Sequence, residues 1–577
     1  MKIFTKVLYR LFACILFTVF ICSYTYAQTD KLKGWHLLDF AKDSFYGISL
    51  NKAYDFLKEK NKRATPIIVA VIDGGIDTSH EDLKNVLWHN PKEIANNGID
   101  DDHNGYIDDV YGWNFLGNKD GSNVKKASDE KTRVYHLYKE KFAGKEIDTS
   151  QLTTTEKYQY SMWKRSNDEL SVNGDDQVET LMLEATAKAI KRQCKIIGDE
   201  FGRSEFTLEE LEKFEPKTKQ AKDAKYAYVS GMKMLSVDSD EKNTNIIKEL
   251  EDYIENKKAL ATAKTTPPPS YRSDIVKDDD KNINDKYYGN KDVMGPDAMH
   301  GTHVSGIIAA DRNNHIGVNG VADNVKILTV RAVPDGDEYD KDIALGIFYA
   351  VDNGAKVINM SFGKAYSPGK NWIDSAVRYA EKHDVLLVHA AGNESYNIDE
   401  KNNYPCPDYL NSTTKASNFI TVGASSDLHI TPNSLAADFS NYGKQNVDVF
   451  APGVKIYSTL PGGNQYGNLQ GTSMASPVVA GIAALIRSYY PSLTAQQVKK
   501  CIEESVMKIA DSIPCMKPGT KVEADMNGNV SGDKYKISFS TLSKTGGIAN
   551  AYNAIRYADT LAASLNEKNN SIKKKKN

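Results

Sequence analysis

The sequence has little of what marks several large classes of protein. Its 577 residues include only six cysteines, too few for a scaffold built on disulfides. The 73 Lys and Arg residues nearly balance the 76 Asp and Glu residues, so the net charge of −3 gives no electrostatic sign of nucleic-acid binding. Hydrophobic residues make up 40% and charged residues 26%, which excludes a mainly disordered chain and a multi-span membrane protein. The length accommodates roughly two to four structural units.

The first segment also lacks a hydrophobic run long enough to span a membrane. Three basic residues precede an apolar run from Leu11 to Cys22 of about a dozen residues, whereas a membrane span needs about 20. Small residues then occupy positions −3 and −1 of a cleavage site after Ala27. We therefore predict a signal peptide over residues 1–27 and export to the periplasm, the cell surface or the medium. No integral membrane span is expected after its removal, and no pattern predicts an oligomeric state.

Four cysteines remain in the exported chain: Cys194, Cys406, Cys501 and Cys515. Cys501 and Cys515 are close enough in sequence to pair in an oxidising compartment. The spacing does not require this pairing, and we favour free thiols.

Continuous apolar runs alternate with amphipathic stretches from residue 65 onward. The runs are Pro66 to Asp73, Val325 to Val333, Lys356 to Met360, Val385 to Ala391, Phe419 to Ala424 and Val447 to Phe450. Helical stretches such as Asp342 to Asn353 lie between them. This alternation predicts an α/β fold with a mostly parallel central sheet flanked by helices. Ligands of such sheets bind at the carboxyl ends of the strands, where Asp73 is placed.

One long segment interrupts this alternation. From residue 119 to 290 the chain is charged and helical in pattern, with a capping box at Thr207 to Glu210. We predict a helical insertion over 119–290 that divides a catalytic domain into residues 65–118 and 291–560. Residues 28–64 are predicted to form an N-terminal arm and helix, and residues 561–577 a basic disordered tail.

Four short segments carry polar residues suited to hydrolysis. They are Val71 to Asp77, with an acid at a strand end; His300 to Gly306; Ala390 to Asn393, with a side-chain amide; and Gly471 to Pro477, which opens an apolar helix. His300 and His303 could also be metal ligands, but the pattern lacks a third ligand. The order acid, imidazole, amide, hydroxyl favours a serine hydrolase.

Hydrolysis by a serine needs each of these groups. The hydroxyl is unreactive at its own pKa, so a neutral histidine must accept its proton and a buried carboxylate must fix the tautomer of that histidine. The tetrahedral intermediate needs hydrogen-bond donors for its oxyanion, and the loss of one typically costs about 10²–10³ in rate. Ser473 is placed at a helix N-terminus, where the backbone N–H groups and the dipole favour an anion.

These segments resemble those of the subtilisin-like (subtilase) serine proteases. The resemblance implies Asp73 as orienting acid, His303 as general base and acid, Ser473 as nucleophile and Asn393 as oxyanion donor. It implies an endopeptidase that acts on a protein or peptide substrate through an acyl-enzyme. The match covers about residues 64–118 and 291–490, with weaker continuity to Ala554.

The resemblance also extends to the substrate-binding strand. The family's pattern implies that an extended peptide adds to the backbone of Ser361, Phe362 and Gly363, with Ala391 and Gly392 beside it. Two departures from the family are visible. Gly74 follows the acid where Thr or Ser is usual, and 230 residues separate Asp73 from His303. A catalytically silent scaffold and a peptidyl transferase are the alternative functions, and the intact catalytic residues disfavour the first.

The segment from Asp100 to Asp109 matches the start of a calcium-loop pattern, D-x-[DN]-x-[DN]-G. Its predicted oxygen ligands are Asp100, Asp102, Asn104, the carbonyl of Tyr106, and Asp108 or Asp109. Tyr111 stands at loop position 12 in place of the usual Glu, which excludes an EF-hand. We predict a stabilising Ca²⁺ site resembling those of other subtilases, with an acidic turn that binds no metal as the alternative.

Two hypotheses concern maturation and specificity. Residues 28–64 are too few for the inhibitory prodomain that most secreted subtilases carry, so we expect maturation without one, with the insertion shielding the site. A cluster of four acids precedes the helix that leads to the substrate strand: Asp335, Asp337, Glu338 and Asp340. The hypothesis here is a preference for basic residues upstream of the cut, and a solvated loop is the favoured alternative.

Overall fold

The computed structural model describes residues 32–170, 174–235, 237, 239, 241–520 and 536–576. The predicted signal peptide, residues 1–27, lies outside these ranges. The chain divides into two compact units, one formed by Met1–Glu130 with Ser270–Asn577 and the other by Lys131–Pro269. Among the described residues, none of the helices is long and apolar enough to cross a membrane.

Nine strands of the first unit form one sheet. The strands of this unit are β1 Ile67–Asp73, β2 Gly112–Asn114, β3 Val325–Arg331, β4 Ala355–Met360, β5 Leu386–Ala390, β6 Phe419–Ser425, β7 Val449–Pro452, β8 Ile456–Leu460, β9 Gln465–Leu469, β10 Met507–Lys508 and β11 Gly547–Ile548. The sheet order is β10-β11-β7-β6-β5-β4-β1-β3-β2, and β8 and β9 form a separate antiparallel hairpin. Only β10 and β11 pair antiparallel within the described sheet. The predicted α/β class with a mostly parallel sheet is confirmed.

The two faces of the sheet are covered by different helices. Val69 and Val71 of β1 belong to one hydrophobic core, whereas Ala70 and Ile72 belong to the other, because successive side chains of a strand point to opposite faces. The helices of this unit are Phe40–Asp43, Leu50–Glu59, Ser273–Val276, Met299–Ala309, Asp340–Asp352, Lys370–Lys382, Thr472–Tyr489, Ala495–Glu504 and Ala551–Lys576, with short 3₁₀ helices at Trp35–Leu37 and Phe539–Thr541. We call Met299–Ala309 the histidine helix and Thr472–Tyr489 the nucleophile helix.

The C-terminal segment is helical, so the prediction of a disordered tail over residues 561–577 was wrong. The last helix extends from Ala551 to Lys576. Ala558 is buried, and Leu561 and Leu565 pack against the same core. These apolar positions follow helical spacing past residue 560, so the helix buries one face beyond the predicted boundary.

The second unit is helical and shorter than the predicted insertion. Its helices are Glu130–Phe142, which begins at the boundary, Thr154–Glu169, Gly174–Phe201, Leu208–Lys213, Lys219–Met234 and Asn243–Thr262, with a 3₁₀ turn at Thr149–Gln151. The capping box of Thr207 and Glu210 is present. Residues 119–130 and 270–290, which were predicted to belong to the insertion, pack in the first unit. There, the Trp113 indole N–H donates to the carbonyl of Tyr288 at 2.8 Å.

The N-terminal arm is an integral part of the first unit. Trp35 is fully buried, and its indole N–H donates to the carbonyl oxygen of Val454 at 3.1 Å. The backbone N–H of Tyr46 donates to the carboxylate of Asp427 at 2.7 Å. The N–H of Ala551 donates to the carbonyl of Ile48, so the arm also fixes the start of the last helix.

Replacement of Trp35 tests this role of the arm. We expect Trp35→Ala to lower the free energy of unfolding by about 3–5 kcal/mol, because it removes a fully buried aromatic side chain and its hydrogen bond. Denaturant titration followed by tryptophan fluorescence measures the change. The matched control is Phe40→Ala in the same arm, since Phe40 is 44% exposed. An equal, small effect of both variants would contradict the packing described.

Candidate active site

The carboxylate predicted at the end of β1 faces an imidazole. Asp73 is 3% exposed and accepts the backbone N–H of Gly74 at 2.7 Å. Both of its carboxylate oxygens lie 2.9 Å from Nδ1 of His300. A carboxylate accepts hydrogen bonds, so the proton of the neutral imidazole belongs on Nδ1. Nε2 of His300 is thereby left with a lone pair that can accept a proton.

His303, which the sequence analysis chose as the base, is the wrong histidine. It is fully buried, and its Nε2 lies 2.9 Å from the carbonyl of Ile456 and 3.2 Å from that of Gly467, both in the β8–β9 hairpin. Burial, with smaller contributions from the nearby His300 and His36, lowers the pKa of His303 to about 3, although the two carbonyl hydrogen bonds act in the opposite direction. The ring therefore ties the histidine helix to the hairpin, and His300 occupies the position beside the acid.

The two residues between these histidines explain how the helix approaches Asp73. A side chain at Gly301 would lie 2.3 Å from the carbonyl of Gly75 and 3.1 Å from the Asp73 side chain. The hydroxyl of Thr302 accepts the N–H of Asp77 at 2.8 Å. Glycine permits the close contact and threonine fixes the loop that follows β1, so the whole His-Gly-Thr-His segment positions one imidazole.

The charges around His300 favour its protonated form. Burial, the largest effect, lowers the pKa, but the negative charge and hydrogen bond of Asp73, together with the charge of Asp297, outweigh it. The pKa of His300 is consequently raised above its ordinary value of 6.5. This is the direction expected for an imidazole that must take a proton and be stabilised as imidazolium.

Ser473 is the second residue of the nucleophile helix, which follows Gly471 at φ 149°. Pro477 has no N–H to donate to the carbonyl of Ser473 four residues earlier. The hydroxyl of Ser361 donates to that carbonyl instead, at 2.8 Å. The hydroxyl of Ser473 in turn donates to the carbonyl of Ser361 at 3.1 Å.

Asn393 is oriented by the residue before the nucleophile. Its side-chain oxygen accepts the backbone N–H of Thr472 at 2.8 Å and the Thr472 hydroxyl at 3.0 Å. The N–H of Gly392 donates to the same hydroxyl at 3.0 Å. Because its oxygen is engaged, the amide nitrogen is the group that Asn393 can offer as a donor to a substrate. Sequence reasoning missed Thr472, although it lies inside the Gly-Thr-Ser segment.

The predicted substrate segments meet at the carboxyl edge of the sheet. Ser361, Phe362 and Gly363 follow β4, while Ala391 and Gly392 follow β5, and the last residues paired between these parallel strands are Met360 and His389. The hydroxyls of Ser361 and Ser473 each donate a hydrogen bond to the carbonyl of the other residue. The structure therefore brings the segments, the nucleophile and Asn393 together.

The carboxylates that lie close together in the acidic loop are not the set of calcium ligands predicted from the sequence. Carboxylate oxygens of Glu93, Asp100 and Asp102 lie within 4.8 Å of one another, and Glu93 had not been predicted. Asp108 pairs with Lys291 at 2.9 Å. Asp109 accepts hydrogen bonds from Asn90, Asn104 and Tyr349, and burial raises its pKa to about 6. The side-chain oxygen of Asn104 accepts the N–H of Tyr106. Asp108 and Asp109 are thus held by side chains outside the acid cluster, whereas Asn104 lies next to it, since its backbone N–H donates to Asp100 and Asp102 at 3.1 Å.

Three of the four acids considered for substrate preference are buried or have partners within the protein. Asp340 accepts hydrogen bonds from Ser367 and Gly369 and pairs with Lys364. Asp337 accepts the N–H of Glu130 at 2.6 Å, and Glu338 is buried. These contacts give the hypothesis of a basic preference no support.

Comparisons with known proteins agree with this geometry. The profile of the Subtilase family matches residues 65–532. A thermophilic serine proteinase of Bacillus sp. (strain AK1) is 42% identical over 213 residues, 37% of this chain and 47% of that protein. Subtilisin DY of Bacillus licheniformis is 39% identical over 39% of this chain and 76% of its own length. Thermitase of Thermoactinomyces vulgaris is 42% identical over 37% of this chain and 68% of its own length.

The share of each relative that is matched varies. The chain spans about half the length of the first of these relatives and between two thirds and about three quarters of the other two. The family profile, by contrast, extends across most of this chain, from the start of β1 to beyond the nucleophile helix. On this match, the chain belongs to the subtilase family of serine proteases.

Proposed function

We propose that this protein is an exported serine endopeptidase with Asp73, His300 and Ser473 as its catalytic residues. The observation that carries the proposal is the contact of both Asp73 carboxylate oxygens with Nδ1 of His300. This contact leaves Nε2 as the proton acceptor. Export rests on the predicted signal peptide.

The geometry supports acyl-enzyme chemistry. Nε2 of His300 accepts the proton of Ser473 as the hydroxyl oxygen attacks the substrate carbonyl, and Asp73 stabilises the resulting imidazolium. The amide of Asn393 and the N–H of Ser473 at the helix N-terminus donate to the oxyanion. His300 then protonates the leaving amine, and water hydrolyses the ester on Ser473. The protein substrate adds as a strand along Ser361 to Gly363.

Labelling with a fluorophosphonate tests the assignment. The full-length chain should be labelled, and Ser473→Ala should abolish labelling because the attacking oxygen is gone. His300→Ala should lower kcat/KM for a peptide substrate by about 10²–10⁴-fold, since it removes the general base.

The control is His303→Gln, which changes a buried ring in contact with the hairpin. We expect this variant to lose thermal stability while its folded fraction still labels at Ser473. Labelling that is lost in folded His303→Gln but retained in His300→Ala would overturn the choice of His300. Unchanged labelling of Ser473→Ala would overturn the proposed function.

The pH dependence of kcat/KM should report the titration of His300. The base is active when neutral, so kcat/KM is expected to fall as the pH drops through a pKa that lies above 6.5. Asp297→Asn removes one negative charge that raises this pKa, so the acid limb should move to lower pH with kcat at high pH retained. Glu59→Gln, at an exposed carboxylate on the helix Leu50–Glu59, is the matched control and should leave the limb in place. Identical profiles for both variants would contradict this assignment.

We further propose that the acidic loop binds Ca²⁺ through Glu93, Asp100 and Asp102. Their carboxylate oxygens lie within 4.8 Å of one another, and such hard oxygen ligands suit this ion. When bound, the ion would offset the repulsion among the three carboxylates and hold the loop that precedes β2. It supplies no step of the reaction.

Calcium should therefore raise the melting temperature. Above the Kd, each tenfold increase in free Ca²⁺ should add about 1.4 kcal/mol of stability. Scanning fluorimetry with and without calcium measures the shift, which Asp100→Asn should reduce. Asp108→Asn, at the acid that pairs with Lys291, should keep the shift. A shift kept in Asp100→Asn would contradict the site, because both sets of ligands contain Asp100. A shift lost in Asp108→Asn would favour the set of ligands predicted from sequence.

A further inference from the structure

The segments that follow β4 and β5 are joined by the side chain of Asn403, which sequence reasoning did not single out. The segments after β4 and β5 are no longer paired to each other beyond Met360 and His389. The side-chain nitrogen of Asn403 donates to the carbonyl of Ala390 at 3.1 Å and to that of Ala391 at 2.9 Å. Its side-chain oxygen lies against Gly363, 2.6 Å from where a Cβ on that glycine would be. The amide of Asn403 therefore bridges the gap between the two segments.

The orientation of this amide is fixed by its partners. Both hydrogens of the nitrogen are used by backbone carbonyls, and the reversed amide would place its oxygen against those two oxygens. The backbone next to Asn403 is also held, because Tyr404 and Lys364 exchange hydrogen bonds at 2.8 and 3.1 Å. The bridge thus presents an oxygen acceptor at a defined position beside Gly363.

The substrate side chain that meets this oxygen follows from the reaction geometry. The attacked carbonyl must lie between Ser473 and the amide of Asn393. Ser473 bonds to Ser361 at the start of one segment, and Asn393 directly follows the other. The residue whose carbonyl is attacked, here called the acyl-side residue, therefore projects its side chain between the segments, toward Asn403.

We propose that Asn403 is a specificity-determining residue that selects short acyl-side residues able to donate a hydrogen bond, such as serine or asparagine. A large apolar side chain such as phenylalanine would meet the bridging amide and bury its oxygen without a donor, which is unfavourable. A serine hydroxyl is short enough to fit above the bridge and donates to the oxygen. This inference rests on the proposed peptidase function and names its substrate class.

The test uses peptides that differ only in the acyl-side residue: serine, alanine or phenylalanine. The unmodified protein should give a higher kcat/KM for serine than for phenylalanine. Asn403→Gly should raise the ratio of phenylalanine to serine by about 10–100-fold, because it removes the bridge. Asn403→Leu keeps a similar volume without the acceptor, so phenylalanine should remain a poor substrate while the preference for serine over alanine falls by about fivefold.

Fluorophosphonate labelling at Ser473 distinguishes failure of the proposed peptidase function from failure of the proposed role of Asn403. Absence of labelling in the unmodified protein would defeat the proposed function itself. Labelling with a preference for phenylalanine in the unmodified protein, or an unchanged ratio in a labelled Asn403→Gly, would overturn only the role of Asn403. If Asn403→Gly fails to fold, the preference of the unmodified protein and of Asn403→Leu still decides the question.

Discussion

The contact between Asp73 and Nδ1 of His300 is the interaction on which the rest of the site depends. It fixes the tautomer of the imidazole and raises its pKa, so that one nitrogen can accept a proton from a hydroxyl. The contact exists because β1 ends at Asp73 and because Gly301 lets the histidine helix approach that end without a side chain between them. Thr302 then holds the loop after β1. A parallel sheet with its carboxyl edge toward this helix is the scaffold such a contact needs.

A second constraint couples the nucleophile to the substrate strand. Pro477 leaves the carbonyl of Ser473 without a helical donor, and Ser361 supplies the hydrogen bond. The proposed nucleophile and the backbone proposed to receive the peptide are thereby held together. Thr472 adds the link to Asn393, so the oxyanion donor is fixed by the same turn of helix. In the proposed function, substrate alignment and catalysis therefore share one set of hydrogen bonds, with Asn403 at its far side.

Several segments outside the catalytic motifs support this arrangement through packing. Nε2 of His303 contacts a carbonyl oxygen of the hairpin formed by β8 and β9. The N-terminal arm buries Trp35, whose indole N–H donates to the carbonyl of Val454 just before that hairpin. The last helix begins at Ala551, whose N–H donates to the carbonyl of Ile48 in the arm. These are contacts between residues far apart in sequence, and the hairpin among them contacts the helix that carries His300 through His303.

The sequence by itself determined the fold class and predicted Asp73, Asn393 and Ser473 as site residues, because apolar runs, strand ends and helix starts are local patterns. It led to His303 rather than His300 as the base, because both histidines lie in one short segment. That choice depends on which ring faces Asp73 and which faces a hairpin more than 150 residues away. The inclusion of Glu93 in the acid cluster and the bridge formed by Asn403 were likewise decided only by the tertiary structure. Each depends on how a loop folds back on its neighbours, which neither periodicity nor spacing records. The helical tail, by contrast, follows a spacing of apolar residues that is present in the sequence.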